Sequence, residues 1–127
     1  MSLDSNRTDI GYLLGRLFAT LEKTQEDALP SINITIRERF YSSASATPAA
    51  VFPRILRTYQ HHLAKLEGGY KVNRERLVQS IHTSITDYPA HLGLEGQGLF
   101  AIGYYHQRQD FFTKKDNNTT DNQNSQS

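Results

Sequence analysis

Apolar residues recur at intervals of three and four along two long stretches of this chain, and this spacing constrains the fold more than any other feature. A repeat of this kind places the apolar side chains on one face of an α-helix. The positions are Ile10, Leu13, Leu14, Leu17, Phe18 and Leu21 in the first stretch, and Phe52, Ile55, Leu56, Tyr59, Leu63 and Leu66 in the second. Both stretches are therefore predicted to be amphipathic helices.

Local signals set the expected ends of these two helices. The first begins at the Thr-Asp pair 8–9 and should end near Ala28, because Pro30 disfavours helix at the residue before it. The second has Thr47 as its expected N-cap and a proline at the first helical position, where the missing N–H costs nothing. The glycine pair at 68–69 supplies a left-handed stop.

Between the two strong helices the pattern is less decided. Asn33 is the expected cap of a short helix that includes Ile34, Arg37, Phe40 and Tyr41. The alternation over residues 32–36 also suits a β-strand, and residues 42–45 are poor helix formers. Helix is the prediction here, with a strand as the alternative.

The second half of the chain adds two more predicted helices. Asn73 is the expected cap of a fourth helix, which the Asp-Tyr-Pro segment 87–89 closes, and a fifth begins around Leu94. The glycines at 96, 98 and 103 weaken the fifth helix in isolation and would let another helix approach closely. From residue 116 onward the side chains are polar and cannot build a core. The predicted fold is all-α: a single-domain bundle of about five helices over residues 1–115, with a disordered polar tail over residues 116–127.

Composition excludes several classes of function. The chain has no cysteine, which excludes disulfides, thiolate metal sites and thiol catalysis. No apolar run approaches the roughly 20 residues of a membrane-spanning helix, and residues 1–9 are polar. The expectation is a cytoplasmic protein with no membrane partner.

The histidines do not form a recognisable catalytic or metal-binding pattern. His61 and His62 are adjacent, so on a helix they diverge by about 100°. The chain has no HExxH, P-loop or GxSxG motif. No catalytic residue, metal or cofactor is predicted. The remaining alternative is a small histidine-dependent enzyme, which would require an activity that depends on His61, His82 or His106.

Basic residues are concentrated in the middle of the chain. Residues 37–76 hold eight basic and three acidic side chains, a balance of +5, although the whole chain carries only +1. Such a distribution indicates a localised surface that faces a polyanion. The candidate nucleic-acid-binding residues are Arg37, Arg39, Arg54, Arg57, His61, Lys65, Lys71, Arg74 and Arg76.

Four of these candidates form a stripe on the third helix. Arg54, Arg57, His61 and Lys65 are separated by three, four and four residues, opposite the apolar face, and no carboxylate lies between them. A row of this kind can track a phosphate backbone. The alternatives are an ordinary solvated helix face or a surface that binds acidic partner proteins.

A second candidate is the segment Tyr104–Arg108, which combines aromatic, basic and amide side chains. Tyr104, Tyr105 and Arg108 could stack on unpaired bases. In the alternative interpretation, one tyrosine packs in the core and the other lies at a protein interface.

Five blocks of residues follow one another along the chain: Tyr12–Ala19 (YLLGRLFA), Ser43–Ala49 (SASATPA), Val51–Arg54 (VFPR), Gln60–Lys65 (QHHLAK) and Gly103–Gln109 (GYYHQRQ). Together they resemble the C-terminal region of the large subunit of the type I-C CRISPR Cascade complex, a region that is also produced as a separate small subunit from an internal start. The resemblance runs from about Leu3 to Phe112. Because Met1 directly precedes the matching region, the separate small subunit is the expected form.

The resemblance implies a concrete role. The small subunit of that family is a non-catalytic helical bundle, present in more than one copy, that lines the belly of the complex and helps to hold the displaced DNA strand. The implied partners are the large and backbone subunits, further copies of the chain, the crRNA–target DNA heteroduplex and the non-target strand. The alternative is an architectural spacer in the same complex that does not touch DNA.

Overall fold

The computed structural model describes the backbone of residues 2–126 and the side chains of residues 2–113. Five α-helices follow one another in the chain, and the described backbone contains no β-strand. They are α1 (Ile10–Ala28), α2 (Ile36–Ala46), α3 (Pro48–Leu63), α4 (Gly68–Ser84) and α5 (Leu94–Gln126). The all-α prediction is confirmed, and the strand that was the alternative for residues 32–36 is absent. The tail predicted for residues 116–127 lies outside the residues whose side chains are described.

Helix α1 is the centre of the bundle and packs against all four other helices. Every residue from 11 to 22 is buried, because α5 covers one side of α1 while α2, α3 and α4 cover the rest. Phe18 lies at the middle of an aromatic cluster, with ring centroids 5.6 to 6.4 Å away in Tyr41, Phe52, Phe100 and Tyr104. The apolar face predicted for the first helix therefore forms the core of the whole molecule.

Glycines set the close approach of α1 and α5. A Cβ on Gly15 would overlap the backbone oxygen of Phe100, and a Cβ on Gly103 would overlap the backbone oxygen of Tyr12. The predicted close approach is confirmed at Gly103, whereas Gly98 has open space around it.

Several local signals act differently from the sequence prediction. The side chain of Thr35, not Asn33, caps α2 by accepting from the Glu38 N–H at 3.2 Å. Residues 42–45 are helical despite their low propensity, because Ala44 and Ser45 are buried in the bundle. The Thr47 side chain donates back to the Ser43 carbonyl and makes no capping bond to α3.

The glycine pair at 68–69 also has a different role. Helix α3 ends earlier, at Leu63, and Gly68 is the first residue of α4. Gly68 has a φ of +58°, so the left-handed conformation expected of it is present. It starts a helix rather than stopping one, and Asn73, the expected cap, lies inside α4.

Candidate nucleic-acid interface

The outer face of α3 carries the predicted basic stripe. Arg54, Arg57 and His61 are exposed on α3, and Lys65 is exposed just after its last residue. They point to solvent because the opposite face buries Val51, Phe52, Ile55, Tyr59 and Leu63. Within the described side chains, none of the four stripe residues has a carboxylate at ion-pairing distance. The positive charge of this face is therefore available to an external anion.

Helix α2 adds one arginine to this stripe. The guanidinium carbon of Arg39 lies 5.2 Å from the centroid of the Phe40 ring, and that of Arg54 lies 5.6 Å from the same centroid. Phe40 itself is half-buried and packs against the core. The structure thus brings Arg39 and Arg54 together from two helices around one aromatic ring.

Arg37 lies in a different place from Arg39. Two residues apart on a helix, the pair diverge by about 200°. The guanidinium carbon of Arg37 is 5.8 Å from the Tyr41 ring and 5.5 Å from the Tyr104 ring. Arg37 lines a cleft that also contains Glu22, Glu26, Glu38 and Arg108. The predicted basic surface is therefore not continuous across α2.

Arg74 does not belong to the basic surface, which corrects the sequence prediction. It is 8% exposed, and its guanidinium donates to Asp27 Oδ2 at 2.8 Å and to Thr24 Oγ1 at 3.1 Å. A phosphate would have to displace a partly buried ion pair to reach it. Arg74 fastens α4 to α1.

The remaining basic residues of the middle segment lie along α4. Lys71 and Arg76 line one shallow depression on that helix, and Glu75 lines it with them. The carboxylate lowers the local positive charge. Lys71 and Arg76 are therefore weaker candidates for nucleic-acid binding than the residues on the face of α3.

Tyr104 and Arg108 are engaged inside the molecule. The Tyr104 hydroxyl donates to Glu22 Oε1 at 2.6 Å, and Arg108 donates to Glu22 and Glu26. Burial, followed by the hydrogen bond to Glu22, raises the pKa of Tyr104. Burial alone would lower the pKa of Arg108, but the Glu22 charge and the Glu26 hydrogen bond raise it overall. The buried Tyr104 ring is not free to stack on a base, which corrects that prediction, whereas stacking by the partly exposed Arg108 stays a prediction.

Tyr105 has the opposite environment. It is 60% exposed on α5, where its hydroxyl accepts from Gln109 Nε2 at 2.9 Å. Of the two tyrosines, one is in the core and the other is on the surface, as the alternative interpretation of this segment expected. Whether Tyr105 meets a base or a protein stays a prediction.

The internal polar network between α1 and α5 was missed by the sequence analysis. Tyr12 and His106 share a buried hydrogen bond of 3.0 Å, and Arg16 Nε donates to Gln107 Oε1 at 2.9 Å. Burial lowers the pKa of Arg16. The network could have been predicted from Arg16 and Glu22, because both lie on the first helix, where apolar residues occur on every side. Such residues require partners inside the fold.

Three of the histidines lie in separate environments. His106 belongs to the internal network, His82 Nδ1 is 2.7 Å from the Tyr88 hydroxyl, and His62 is buried in the bundle. Burial, and then the charges of Lys65 and His61, lower the pKa of His62. Over the side chains that the structure describes, no three His, Cys, Asp or Glu residues cluster as metal ligands would. Nor does any described helix have the length and apolar character needed to cross a bilayer.

Fold and surface together define a small helical-bundle protein, held by an internal polar network and carrying an exposed cationic face. Residues 1–112 match the model of the family described as CRISPR-associated protein (Cas_Csd1), and the chain belongs to that family. It is a CRISPR-associated protein of the Cascade type. No curated protein matches the chain.

Proposed function

We propose that this chain is the non-catalytic small subunit of a type I-C Cascade complex, where it lines the belly and stabilises the R-loop. The observation that carries the proposal is the exposed face formed by α3 and the turn after it, which presents Arg54, Arg57, His61 and Lys65 without carboxylate partners among the described side chains. We name this face, together with Arg39, the α3 basic face. Its role is to hold the displaced DNA strand by its phosphates.

The chemistry of the α3 basic face suits this role. A displaced strand can have any sequence. The surface that holds it must therefore bind through positive charge and sequence-tolerant stacking rather than through hydrogen bonds to base edges. R-loop formation exchanges one duplex for another of similar stability. A few phosphate contacts are therefore enough to shift the balance towards the open state.

The partners follow from the same proposal. They are the large and backbone subunits of the complex, the crRNA–target heteroduplex, the non-target strand and further copies of the chain, in the cytoplasm. Guide pairing reads the sequence, and the chain contributes no nuclease chemistry.

An architectural spacer is the second candidate, and the outer side of α5 favours it. Ile102, Tyr105 and Phe112 are spaced by three and seven residues, so they lie on one side of the helix, and they are 39%, 60% and 56% exposed. A row of exposed apolar side chains suits contact with another protein. In this candidate, the chain joins neighbouring Cascade subunits without touching DNA.

One experiment separates the two candidates. A matched type I-C complex is assembled with the wild-type chain, with the Arg54→Glu, Arg57→Glu, Lys65→Glu variant, and without the chain. Incorporation and retention of labelled target DNA are measured for each. The proposal predicts normal incorporation of the variant and retention as poor as without the chain.

The other outcomes are equally specific. Retention equal to wild type in a complex that contains the variant would exclude the α3 basic face from DNA binding and leave the spacer. Failure of the variant alone to incorporate would assign that face to a protein contact. Failure of the wild-type chain to incorporate would refute both candidates.

A further inference from the structure

Two pairs of arginines in this protein differ in whether a carboxylate neutralises their charge. Arg74 and Arg108 are ion-paired to carboxylates of α1, which cancel their charge. Arg39 and Arg54 have no ion pair among the described side chains and instead lie against the ring of Phe40. An aromatic ring attracts a guanidinium through its quadrupole and carries no net charge.

The difference matters for anion binding. An arginine that is free in solvent loses rotamer entropy when it binds, and this loss weakens binding. A carboxylate would order it but would also neutralise it. A ring orders the guanidinium and leaves its full positive charge available for a phosphate.

Phe40 is well placed to act in this way. It is half-buried and packs against the core, so the ring is fixed by its own surroundings. Arg39 reaches it from α2 and Arg54 reaches it from α3, with guanidinium carbons 5.2 and 5.6 Å from the ring centroid. Arg57, one turn further along α3, is exposed and has no ring contact among the described residues.

We infer that Arg39, Phe40 and Arg54 form a preorganised site for the phosphate backbone of single-stranded nucleic acid, with Phe40 as its positioning residue. This inference rests on the proposed function and goes further by locating the first phosphate contact at the junction of α2 and α3. Guanidiniums are suited to this contact because each can donate two hydrogen bonds to one phosphate. Arg57, His61 and Lys65 then contact the phosphates that follow along the nucleic-acid strand.

The first test needs no ligand. In the 127-residue chain, the order of each arginine side chain is measured from the NMR relaxation of its Nε–Hε group. The inference expects Arg54 to be more ordered than Arg57 in the wild type, and to lose that order in Phe40→Leu. Equal mobility of Arg54 and Arg57 in the wild type would overturn it.

The second test measures target retention in the assembled complex. Phe40→Leu keeps an apolar side chain and both arginines, while Arg54→Lys keeps the charge and loses the planar guanidinium. Each is expected to weaken retention about two- to fivefold, the effect of one exposed cation–π contact. The comparison variant Arg57→Lys, on the same face but without a ring contact among the described residues, is expected to weaken retention less than Arg54→Lys does, because it loses no cation–π contact.

The outcomes separate this inference from the proposed function. If Phe40→Leu and Arg54→Lys both retain target like wild type, while the triple glutamate variant loses it, the positioning role is refuted and the α3 basic face stands. If the triple variant also retains target like wild type, the proposed function fails, and with it the assignment of a phosphate to this site. Because Arg54 is exposed, Arg54→Lys decides the question even if Phe40→Leu does not fold.

Discussion

Three glycines determine how closely the two main helices of the bundle approach. Gly11 and Gly15 on α1 face backbone atoms of α5, and Gly103 on α5 faces the backbone of Tyr12. Because the neighbouring atoms are backbone, they cannot rotate away from an added methyl group. The short interhelical distance is what brings polar side chains such as Glu22 and Tyr104 within hydrogen-bond reach.

Replacing Gly15 with alanine should therefore destabilise the protein. The added Cβ would overlap the Phe100 carbonyl oxygen, so α1 and α5 must separate, and overpacking of this kind costs about 1–3 kcal/mol. Gly98→Ala is the matched control on α5, where the space is open, and it should stabilise by about 0.5–1 kcal/mol. Chemical denaturation measures both changes. A Gly15→Ala variant as stable as wild type would show that the two helices do not need this close approach.

At the scale of the element, periodicity predicted most of the fold. The bounds of α1 and the start of α5 follow from apolar spacing and proline positions, and the structure confirms them. The helical residues 42–45 could not be predicted from propensity, because their helix is stabilised by burial against other parts of the chain. The left-handed conformation of Gly68 was predicted correctly. That Gly68 begins α4 instead of ending α3 could not be predicted from the sequence.

The candidate site was predictable to a similar extent. The α3 basic face follows from the helical wheel, since Arg54 and Arg57 lie opposite a strongly apolar face that has to be buried. The ion pairs of Arg74 and Arg108 could not be predicted from the sequence, because their carboxylate partners lie 47 and 86 residues away. Phe40 was predicted to lie in the second helix, but its contact with Arg54 could not be predicted. That contact exists only because α2 packs on α3.

The two kinds of arginine on α3 and α4 predict opposite effects of the same substitution. Arg74→Gln breaks a partly buried ion pair and should lower the free energy of unfolding by about 2 kcal/mol or more, without changing the salt dependence of DNA retention. Arg57→Gln should leave stability within about 0.5 kcal/mol of wild type. It should make the slope of the logarithm of the binding constant, obtained from target retention, against log salt less negative by about 0.7, the contribution of one phosphate of a single strand. If Arg57→Gln lowered stability and Arg74→Gln changed the salt dependence, the structural role of Arg74 and the phosphate-binding role of Arg57 would both be contradicted.

For the whole molecule, a net charge of +1 conceals a strong separation of charge. The acidic side chains of α1 are used internally, where Glu22, Glu26 and Asp27 neutralise Arg108 and Arg74. The α3 basic face has no such partners among the described side chains. A bundle arranged in this way can bind a phosphate backbone on one face and leave its other faces, such as the outer side of α5, for protein contacts.

The most direct measurement for the central claim is the salt dependence of target retention in the assembled complex. Wild type is compared with the Arg54→Gln, Arg57→Gln, Lys65→Gln variant, which removes three charges and introduces none. If these residues bind phosphates of the displaced strand, the slope of the logarithm of the binding constant, obtained from target retention, against log salt should become less negative by about 2. An unchanged slope in a complex that contains the variant would contradict the claim that the α3 basic face holds DNA.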